Sequence, residues 1–532
     1  MPLFEVEVPK RNSKALDKKI ASKSNINLPT ANISVKSGNG LLGRINEIKA
    51  VVERNLGQYK DKYIVIREED VLHDYIDTAI KNNIIAIDTE TDGLDPLQNH
   101  IAGICIYTPG QKAAYIPIGH ISYVTNMPVT NQLPKEVVAE EFIRLFNSGI
   151  DVDMFNANFD IRVLRNMVGI HNAYCTWDAY LAGRLLNENE EHRNLKYLHN
   201  KYCLDGKGDA FKFDDLFKGI PFTYIPINTG YLYAAHDPEI TFELCDYQRK
   251  HLRPDHERED MRQLYWVFKN IEMPCVDVVT KMEDTGILFD MNYQQQLSEK
   301  YNELLKEAEA EAHKCIAVYA KEIEAYKSHH IDHKLDSPIN IGSPTQLAIL
   351  LYDILKIEPV DKKSPRSTGV EALTKIDNPI CKAILKYREI NKLLSTYIDK
   401  LPECVNSDDG RIHCSFNQYG ADTGRMSSSD PNLQNIPSHN KDIRKMFVAS
   451  PGYVLMSSDF SQQEPKCLAA LCRRQGDDQM YQTFMEGKDL YSEIASKAFN
   501  KPYEQCREFN EDGSTNEAGK RRRTQAKSIL LG

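Results

Sequence analysis

Residues 83–96 read NIIAIDTETDGLDP, an apolar run that ends in two carboxylates, Asp88 and Glu90. An apolar run bounded by acidic, Gly and Pro residues is typical of a buried strand that leads into a turn. Side chains two apart on a strand point to the same side, so Asp88 and Glu90 can share a cation. The stretch therefore predicts a strand whose end carries part of a metal site.

Similar apolar runs lie around this stretch and indicate an α/β domain. They read KYIVI at 62–66, IAGICIY at 101–107 and AAYIPIG at 113–119. Short runs of this kind between turn residues, followed by helical stretches, are typical of a sheet covered by helices. We predict that this domain reaches to about residue 250.

The composition argues against membrane insertion, secretion and a zinc site. The 532 residues carry a net charge of −10 and are 41% hydrophobic. No apolar run approaches the roughly 18 residues of a membrane span, and residues 1–25 lack the apolar segment of a signal peptide. The 12 Cys residues include no C-x-x-C pair, which favours a reduced cytoplasmic interior. An acidic total still allows a local basic channel.

Two further acidic motifs follow in the same region. Residues 155–164 read FNANFDIRVL and place Asp160 in a helix-like segment, and residues 231–241 read YLYAAHDPEIT. In the second motif Tyr233 and Asp237 are four apart and share a helix face. Gathered carboxylates are costly unless divalent cations neutralise them, and two such cations can cleave a phosphodiester. These motifs predict a metal-dependent nuclease.

In this order the motifs resemble the 3′→5′ exonuclease superfamily, which includes the proofreading domains of family A DNA polymerases and ribonuclease D. The resemblance implies two Mg²⁺ or Mn²⁺ ions held by Asp88, Glu90, Asp160 and Asp237. It also implies that Tyr233 helps to orient the attacking water. Phe155 stands where the family often has His, which leaves fine positioning of the substrate open.

The second half of the chain carries a polar turn and a second acidic strand end. Residues 424–437 read GRMSSSDPNLQNIP, whose polar side chains can reach sugar and phosphate oxygens without reading base identity. Residues 453–466 read YVLMSSDFSQQEPK and predict a strand that ends at Asp459, with Glu464 in the turn to a helix. Asp459 is therefore a candidate metal ligand.

The last motif is a basic helix. Residues 521–531 read RRRTQAKSILL, in which Arg523, Lys527 and Leu531 follow one another at intervals of four. On a helix they line one face and present two cations followed by an apolar platform. Triphosphate oxygens and a sugar or base would fit these groups in that order.

Over about residues 60–532 these segments together resemble family A DNA polymerases, the DNA polymerase I family, and the bacteriophage forms in particular. The resemblance implies that Asp459 is one of two palm aspartates that bind the catalytic metals and that Glu464 excludes a ribose 2′-hydroxyl. It implies contacts to primer-template DNA and the active site from Arg425, Asn432, Gln434 and Asn435. Arg523 and Lys527 would clamp the deoxynucleoside triphosphate, and Leu531 stands where an aromatic residue often stacks near the incoming nucleotide.

The sequence departs from the family pattern at several places. Pro465 and Lys466 replace the usual Leu and Arg, and the motif with the second palm aspartate has no counterpart. We therefore expect an active exonuclease on DNA 3′ ends and a polymerase that needs a missing part. That part would be supplied by a second chain, lie beyond an intron or intein, or be lost by truncation. Two other readings are a stand-alone ribonuclease D-type exonuclease and a non-enzymatic DNA-binding accessory protein.

We predict an α/β and α+β multidomain protein in the cytoplasm, or in the host cytoplasm if it is viral. The exonuclease domain would be ribonuclease H-like. The predicted segments are a flexible basic arm at 1–60, the exonuclease at 61–255, a helical connection and thumb at 256–402, a partial palm at 403–480 and partial fingers at 481–532.

Overall fold

The computed structural model of the protein describes residues 41–208, 213–217, 219–330, 334–421, 423–438 and 440–531, with the backbone alone at residues 41, 214 and 531. The chain separates into two compact units, with the division between Val448 and Ala449. The finer division into exonuclease, thumb, palm and fingers stays a prediction.

A six-stranded sheet organises the first part of the first unit. Its strands are β1 (Tyr63–Val65), β2 (Ile84–Thr91), β3 (Ile101–Tyr107), β4 (Ala113–Pro117), β5 (Asp151–Met154) and β6 (Trp177–Asp178). They lie in the order β1-β4-β3-β2-β5-β6, with β3 antiparallel to β2 and β4 and the other pairs parallel. The strands predicted from the four apolar runs are confirmed, and the strand with Asp88 and Glu90 is central.

Helices cover both faces of this sheet. They are α1 (Leu41–Leu56), α2 (Glu69–Asn82), α3 (Lys135–Asn147), α4 (Ala157–Val163), α5 (Ala179–Leu186), α6 (Leu195–Cys203), α7 (Phe213–Phe217), α8 (Ile227–Ala234) and α9 (His236–Arg249). Alternate residues of β4 enter two different cores, Ala114 and Ile116 on one face and Ala113 and Tyr115 on the other. This period-two pattern fits a strand buried on both sides.

Helix α1 corrects the prediction of a flexible arm through residue 60. Ile45, Ile48, Val52 and Leu56 recur at helical spacing and are almost completely buried. They pack in the core that contains Ala113 and Tyr115 of β4. The arm prediction is therefore wrong for residues 41–60, because the basic composition concealed an apolar helix face. Residues 1–40 lie outside the described part of the chain.

The rest of the first unit is mainly helical. Its helices are α10 (Glu259–Val267), α11 (Met273–Thr285), α12 (Met291–Ala317), α13 (Ala320–His329), α14 (Pro344–Ala348), α15 (Val370–Lys375), α16 (Pro379–Leu393) and α17 (Lys441–Arg444). The charge-rich stretch between residues 292 and 327 forms α12 and α13. One face of α12 is buried, including Leu297, Tyr301, Ala308 and Ile316, and this spacing explains why so polar a helix is held in place.

Short strands connect these helices. They are β7 (Ile287–Phe289), β8 (Arg411–Ile412), β9 (Ser415–Asn417), β10 (Ser427–Ser429) and β11 (Phe447–Val448). Strand β7 lies between β11 and β8 and is antiparallel to both, while β9 pairs with β10. The polar turn predicted at 424–437 contains β10 and a 3₁₀ turn at Leu433–Asn435.

The second unit contains helices α18 (Gln463–Arg474), α19 (Gln479–Met485), α20 (Leu490–Phe499) and α21 (Glu517–Leu531). The strand predicted to end at Asp459 is not observed. Residues 453–460 pair with no strand among the described residues, and Val454 and Met456 are almost fully exposed. A strand needs a neighbour for its N–H and C=O groups, and an apolar pattern alone does not supply one.

Candidate nuclease and nucleotide sites

Three elements of the first unit bring the predicted carboxylates together. Asp88 and Glu90 lie on β2, Asp160 lies in the first turn of α4, and Asp237 lies in the first turn of α9. Ligand atoms of Asp88, Glu90 and the buried Cys105 on β3 lie within 4.8 Å of one another. The sequence analysis missed Cys105, which faces Asp88 across the strand pair.

The carboxylates of this cluster perturb one another. Burial, followed by the charges of Asp160, Asp237 and Glu90, raises the pKa of Asp88 well above its usual range. Burial, followed by the charges of Asp237 and Asp160, raises the pKa of Glu90 to about 8. Burial also raises the pKa of Asp160 to about 7, and it raises that of Asp237. Four carboxyl groups with raised pKa values need a nearby cation to be ionised together at neutral pH.

A hydrogen bond and a capped loop hold Asp160 in the cluster. Thr89, between the two carboxylates of β2, donates from Oγ1 to Asp160 Oδ1 at 2.6 Å. The carboxylate of Asp178 accepts from the backbone N–H groups of Asn156 and Ala157 at 3.0 and 2.9 Å, which fixes the start of α4. Asn156 adopts a positive φ of 62° there, a conformation that Asn tolerates better than most residues. Neither contact has a local sequence signal.

Lys196 supplies positive charge at the cluster. Its Nζ lies 3.0 Å from Oδ1 and 3.1 Å from Oδ2 of Asp237, and 3.6 Å from the centre of the Tyr233 ring. The Tyr233 ring is buried and packs edge-to-face on Phe213 and Phe217. Burial and the neighbouring carboxylates raise the pKa of Tyr233 well above its usual range. Its hydroxyl therefore stays protonated and can donate a hydrogen bond.

A cavity of about 420 Å³ opens beside the helix that carries Asp160. Apolar and aromatic side chains line part of it: Leu94, Phe155, Phe159 and Tyr180. Asn158 and Gln418 add amide groups. Phe155 packs edge-to-face on Tyr180 with ring centres 5.9 Å apart. The residue that departs from the exonuclease family pattern therefore forms a wall of this cavity.

The predicted primer-template contacts lie on both sides of β10, with Arg425 before the strand and the other three on the exposed turn that follows it. Asn432 accepts from the N–H of Gln434, and Gln434 donates from its side chain to the carbonyl of Met426. The carbonyl of Asn435 accepts from the Tyr397 hydroxyl. The side chains of Arg425, Asn432, Gln434 and Asn435 are all exposed. These side chains are therefore accessible. Those of Asn432 and Gln434 also make the hydrogen bonds that shape the turn.

The second unit contains the other predicted nucleotide contacts. Asp459 is exposed in the unpaired segment, and Glu464 lies in the first turn of α18. On α21, Arg523 and Lys527 both approach the ring of Tyr491, at 5.2 and 5.9 Å from its centre. This places the two predicted cations on one side of the helix. The side chain of Leu531 lies outside the described residues.

Arg523 has acidic partners that the sequence analysis missed. Its Nε and Nη2 donate to the two carboxylate oxygens of Asp489, each at 3.0 Å, and its Nη1 lies 3.4 Å from Glu508. Although burial would raise the pKa of Asp489, hydrogen bonds from Arg523 and Ser492 hold it below the usual value. Arg523 is thus engaged in a bidentate ion pair.

Comparison with known proteins assigns two regions of the chain. Residues 293–532 match the family model described as DNA polymerase family A, and residues 63–253 match the model described as 3′-5′ exonuclease. The chain carries a DNA polymerase family A region. The predicted family and mixed fold class are confirmed, and a stand-alone ribonuclease D-type enzyme is not favoured, because the polymerase match follows the exonuclease match.

Several members of family A are similar over much of this chain. DNA polymerase I of Chloroflexus aurantiacus is 30% identical over 455 residues, which cover 82% of this chain and 44% of the relative. DNA polymerase I of Synechocystis sp. is 33% identical over 78% of this chain and 40% of the relative. The thermostable DNA polymerase I of Thermus aquaticus is 37% identical over 46% of this chain and 28% of the relative. The chain spans less than half the length of each of these relatives.

A solved structure has a similar fold. The POL domain of Pol1 from M. smegmatis, in complex with DNA primer-template and dNTP, aligns with a TM-score of 0.65 and 23% identity. The alignment covers 88% of this chain and 71% of that domain.

Among the described residues, no helix is long and apolar enough to cross a membrane.

Proposed function

We propose that this family A chain is a DNA-directed DNA polymerase, a nucleotidyltransferase, with a 3′→5′ exonuclease that removes nucleotides from DNA 3′ ends. The observation that carries the exonuclease is the proximity of Asp88, Glu90, Asp160 and Asp237, whose charges act on one another at a largely buried place. They come from three elements far apart in sequence, within the region that matches the exonuclease model.

The donor set of this cluster fits Mg²⁺ or Mn²⁺. Its four carboxylates are hard oxygen ligands of the kind these ions prefer. Burial raises their pKa values although Lys196 is nearby, so bound divalent cations would favour their ionised forms. When bound, two such ions would activate a water molecule and stabilise the leaving oxygen of a phosphodiester. The protonated hydroxyl of Tyr233 would orient that water, and Thr89 would keep Asp160 in place.

The cavity beside α4 is the proposed site for a single-stranded 3′ end. Its aromatic walls, including Phe155 and Phe159, suit stacking of unpaired bases. Its amide groups, from Asn158 and Gln418, can bond to sugars and phosphates without selecting a sequence. The shape and chemistry thus favour an enzyme that acts on any DNA end.

The polymerase half is proposed to bind primer-template DNA and deoxynucleoside triphosphates. Asp459 would hold a catalytic metal, and Glu464 and Leu531 would lie near the sugar and base of the incoming nucleotide. Arg523 and Lys527 would hold its triphosphate, with the exposed turn after β10 on the primer-template. The second palm carboxylate, a second chain that carries it, a bacteriophage origin and a cytoplasmic location stay predictions.

Digestion of 5′-labelled single-stranded DNA tests the exonuclease. We expect Mg²⁺-dependent shortening from the 3′ end, with loss of at least a hundredfold in rate for Asp88→Ala. Asp74→Ala, which removes an exposed carboxylate from α2, should act like the unchanged protein. Activity that survives Asp88→Ala would refute the proposed site, and a preference for RNA would favour a ribonuclease D-type enzyme. No digestion by the unchanged chain would favour a non-enzymatic DNA-binding protein.

A further inference from the structure

We infer that Lys196 is an internal counter-ion of the exonuclease site, whose ammonium group a divalent cation must displace from Asp237. This inference rests on the proposed metal-dependent function and adds a residue to it. Lys196 contacts both carboxylate oxygens of Asp237, and its side chain is 14% exposed. The ammonium group donates a hydrogen bond to Oδ2, whereas Oδ1 lies 3.0 Å away and accepts no hydrogen bond from the described residues. A divalent cation bound to Oδ1 would therefore lie close to the ammonium group and repel it.

The charge of Lys196 reaches more of the cluster than Asp237. Its positive charge opposes the rise in pKa that burial causes at Asp88, Glu90 and Asp237. The same ammonium group lies 3.6 Å from the centre of the Tyr233 ring, within the range of a cation–π contact. One side chain therefore touches a proposed metal ligand and the proposed water-orienting residue.

The position of Lys196 is not explained by the stability of its own helix. It lies in the first turn of α6, whose N-terminus Asn194 caps by accepting from the N–H of Tyr197 at 2.9 Å. A cation in a first turn opposes the helix dipole, which favours negative charge there. Leu195 and Leu198 of the same helix are buried in the core, so the packing of α6 directs Lys196 into the carboxylate cluster.

These observations give Lys196 a positioning role. That role predicts the direction in which metal affinity changes when the charge of Lys196 is removed. In the metal-free protein it neutralises part of the cluster and keeps Asp237 and Tyr233 in place. When a divalent cation binds, the ammonium group must leave Asp237, and part of the binding free energy is spent on that displacement. Removing the charge should therefore tighten metal binding, whereas loss of a merely structural ion pair would weaken it or leave it unchanged.

The test is Mn²⁺ binding to the full chain without DNA, followed by the electron paramagnetic resonance signal of the free ion. We expect Lys196→Met to bind Mn²⁺ about fivefold or more tightly. The substitution removes the repulsion between the ammonium group and the bound ion, whose free energy is about that of a partly buried ion pair. Its melting temperature without metal should fall, and Mn²⁺ should raise it more than in the unchanged protein. Lys196→Arg should keep an affinity within about twofold of the unchanged protein, since the charge remains.

Lys201→Met provides a matched control. Lys201 lies on the same helix and pairs with the buried Glu190 at 2.7 Å, and it lies over the Tyr202 ring. Its loss should leave Mn²⁺ affinity unchanged. Lys196→Gln keeps a long polar side chain and replaces the Met variant if that variant does not fold. Equal or weaker Mn²⁺ binding by the neutral variant would overturn the inference.

Failure of the inference can be told apart from failure of the proposed function. If the unchanged chain digests DNA in an Asp88-dependent way but the neutral Lys196 variant binds Mn²⁺ no more tightly, only the role of Lys196 is wrong. If Mn²⁺ binding tightens as expected but no DNA is digested, the counter-ion stands and the nuclease activity is refuted. In the Asp237→Asn background the effect of Lys196→Met should become smaller, because Lys196 then acts only on Asp88 and Glu90.

Discussion

Arg162 joins the helix that carries Asp160 to α11, and its removal gives the sharpest test of how the nuclease site is held. Its Nη1 lies 2.7 Å from Glu283 and its Nε lies 2.7 Å from Asp284. Glu283 is 2% exposed and also accepts from the backbone N–H of Phe416 at 2.5 Å. Arg162→Met would keep the bulk of the side chain and leave Glu283 buried without its cation.

Loss of one partner of a buried ion pair costs about 3–5 kcal/mol of unfolding free energy. We expect the lower end of this range, because Asp284 is 24% exposed and can be solvated. Burial already raises the pKa of Glu283, and hydrogen bonds from Phe416 and Arg162 oppose that rise. Without Arg162 the pKa of Glu283 rises further, so protonation of this residue offsets part of the loss.

The pH dependence of this loss follows from the direction of the Glu283 shift. A carboxyl group whose pKa is higher in the folded state binds more protons when folded, so stability falls as pH rises above the ordinary Glu value of about 4.3. The effect of Arg162→Met should therefore be larger at pH 7.5 than at pH 5. Urea unfolding followed by Trp fluorescence measures it, because both Trp residues, Trp177 and Trp266, belong to the first unit.

A second substitution and a surface control complete this test. Glu283→Gln added to Arg162→Met should recover much of the stability, since it removes the unpaired buried charge and keeps an acceptor for Phe416. Arg144→Met, which breaks an exposed ion pair with Asp77 and a partly exposed one with Glu141, should cost less than about 1 kcal/mol. A loss below about 1 kcal/mol for Arg162→Met, or one that does not change with pH, would contradict the role of the buried ion pair.

Three further predictions concern the site and the fold. Thr89→Val should move the acidic limb of the exonuclease pH profile to higher pH, because Asp160 loses the hydrogen bond that lowers its pKa. Thr89→Ser is the control. An acidic limb that does not move in Thr89→Val would contradict the role of Thr89 in lowering the pKa of Asp160. Mn²⁺ affinity should rise between pH 6 and pH 9 as Asp160 and Glu90, with pKa values of about 7 and about 8, lose protons. Calorimetric titration at several pH values measures this affinity. An affinity that does not change with pH would argue against these two ligands. Ile45→Asp should destabilise the first unit by about 3 kcal/mol, because Ile45 is fully buried. Leu42, which is 56% exposed, provides the control, and Leu42→Asp should cost little. Equal effects of the two substitutions in urea unfolding would contradict the packing of α1.

Much of the exonuclease fold could be predicted from local pattern. The strands of the sheet were visible because apolar runs alternate with turn residues, and the shared side of Asp88 and Glu90 follows from the two-residue period of a strand. The same reasoning failed at residues 453–460, where an apolar run has no neighbouring strand in the described unit. It failed again at α1, because a helix face of four apolar residues is diluted by the basic residues around it.

The order of the acids, amides and cations along the chain, and the family whose motifs they form, could be read from the amino-acid sequence alone. The pairing of Lys196 with Asp237, 41 residues away, and of Arg523 with Asp489, 34 residues away, became visible only in the folded protein. The difference arises because periodicity reports the face of a single element. A contact between charges also depends on how two elements pack, and that is set by buried side chains along the whole chain.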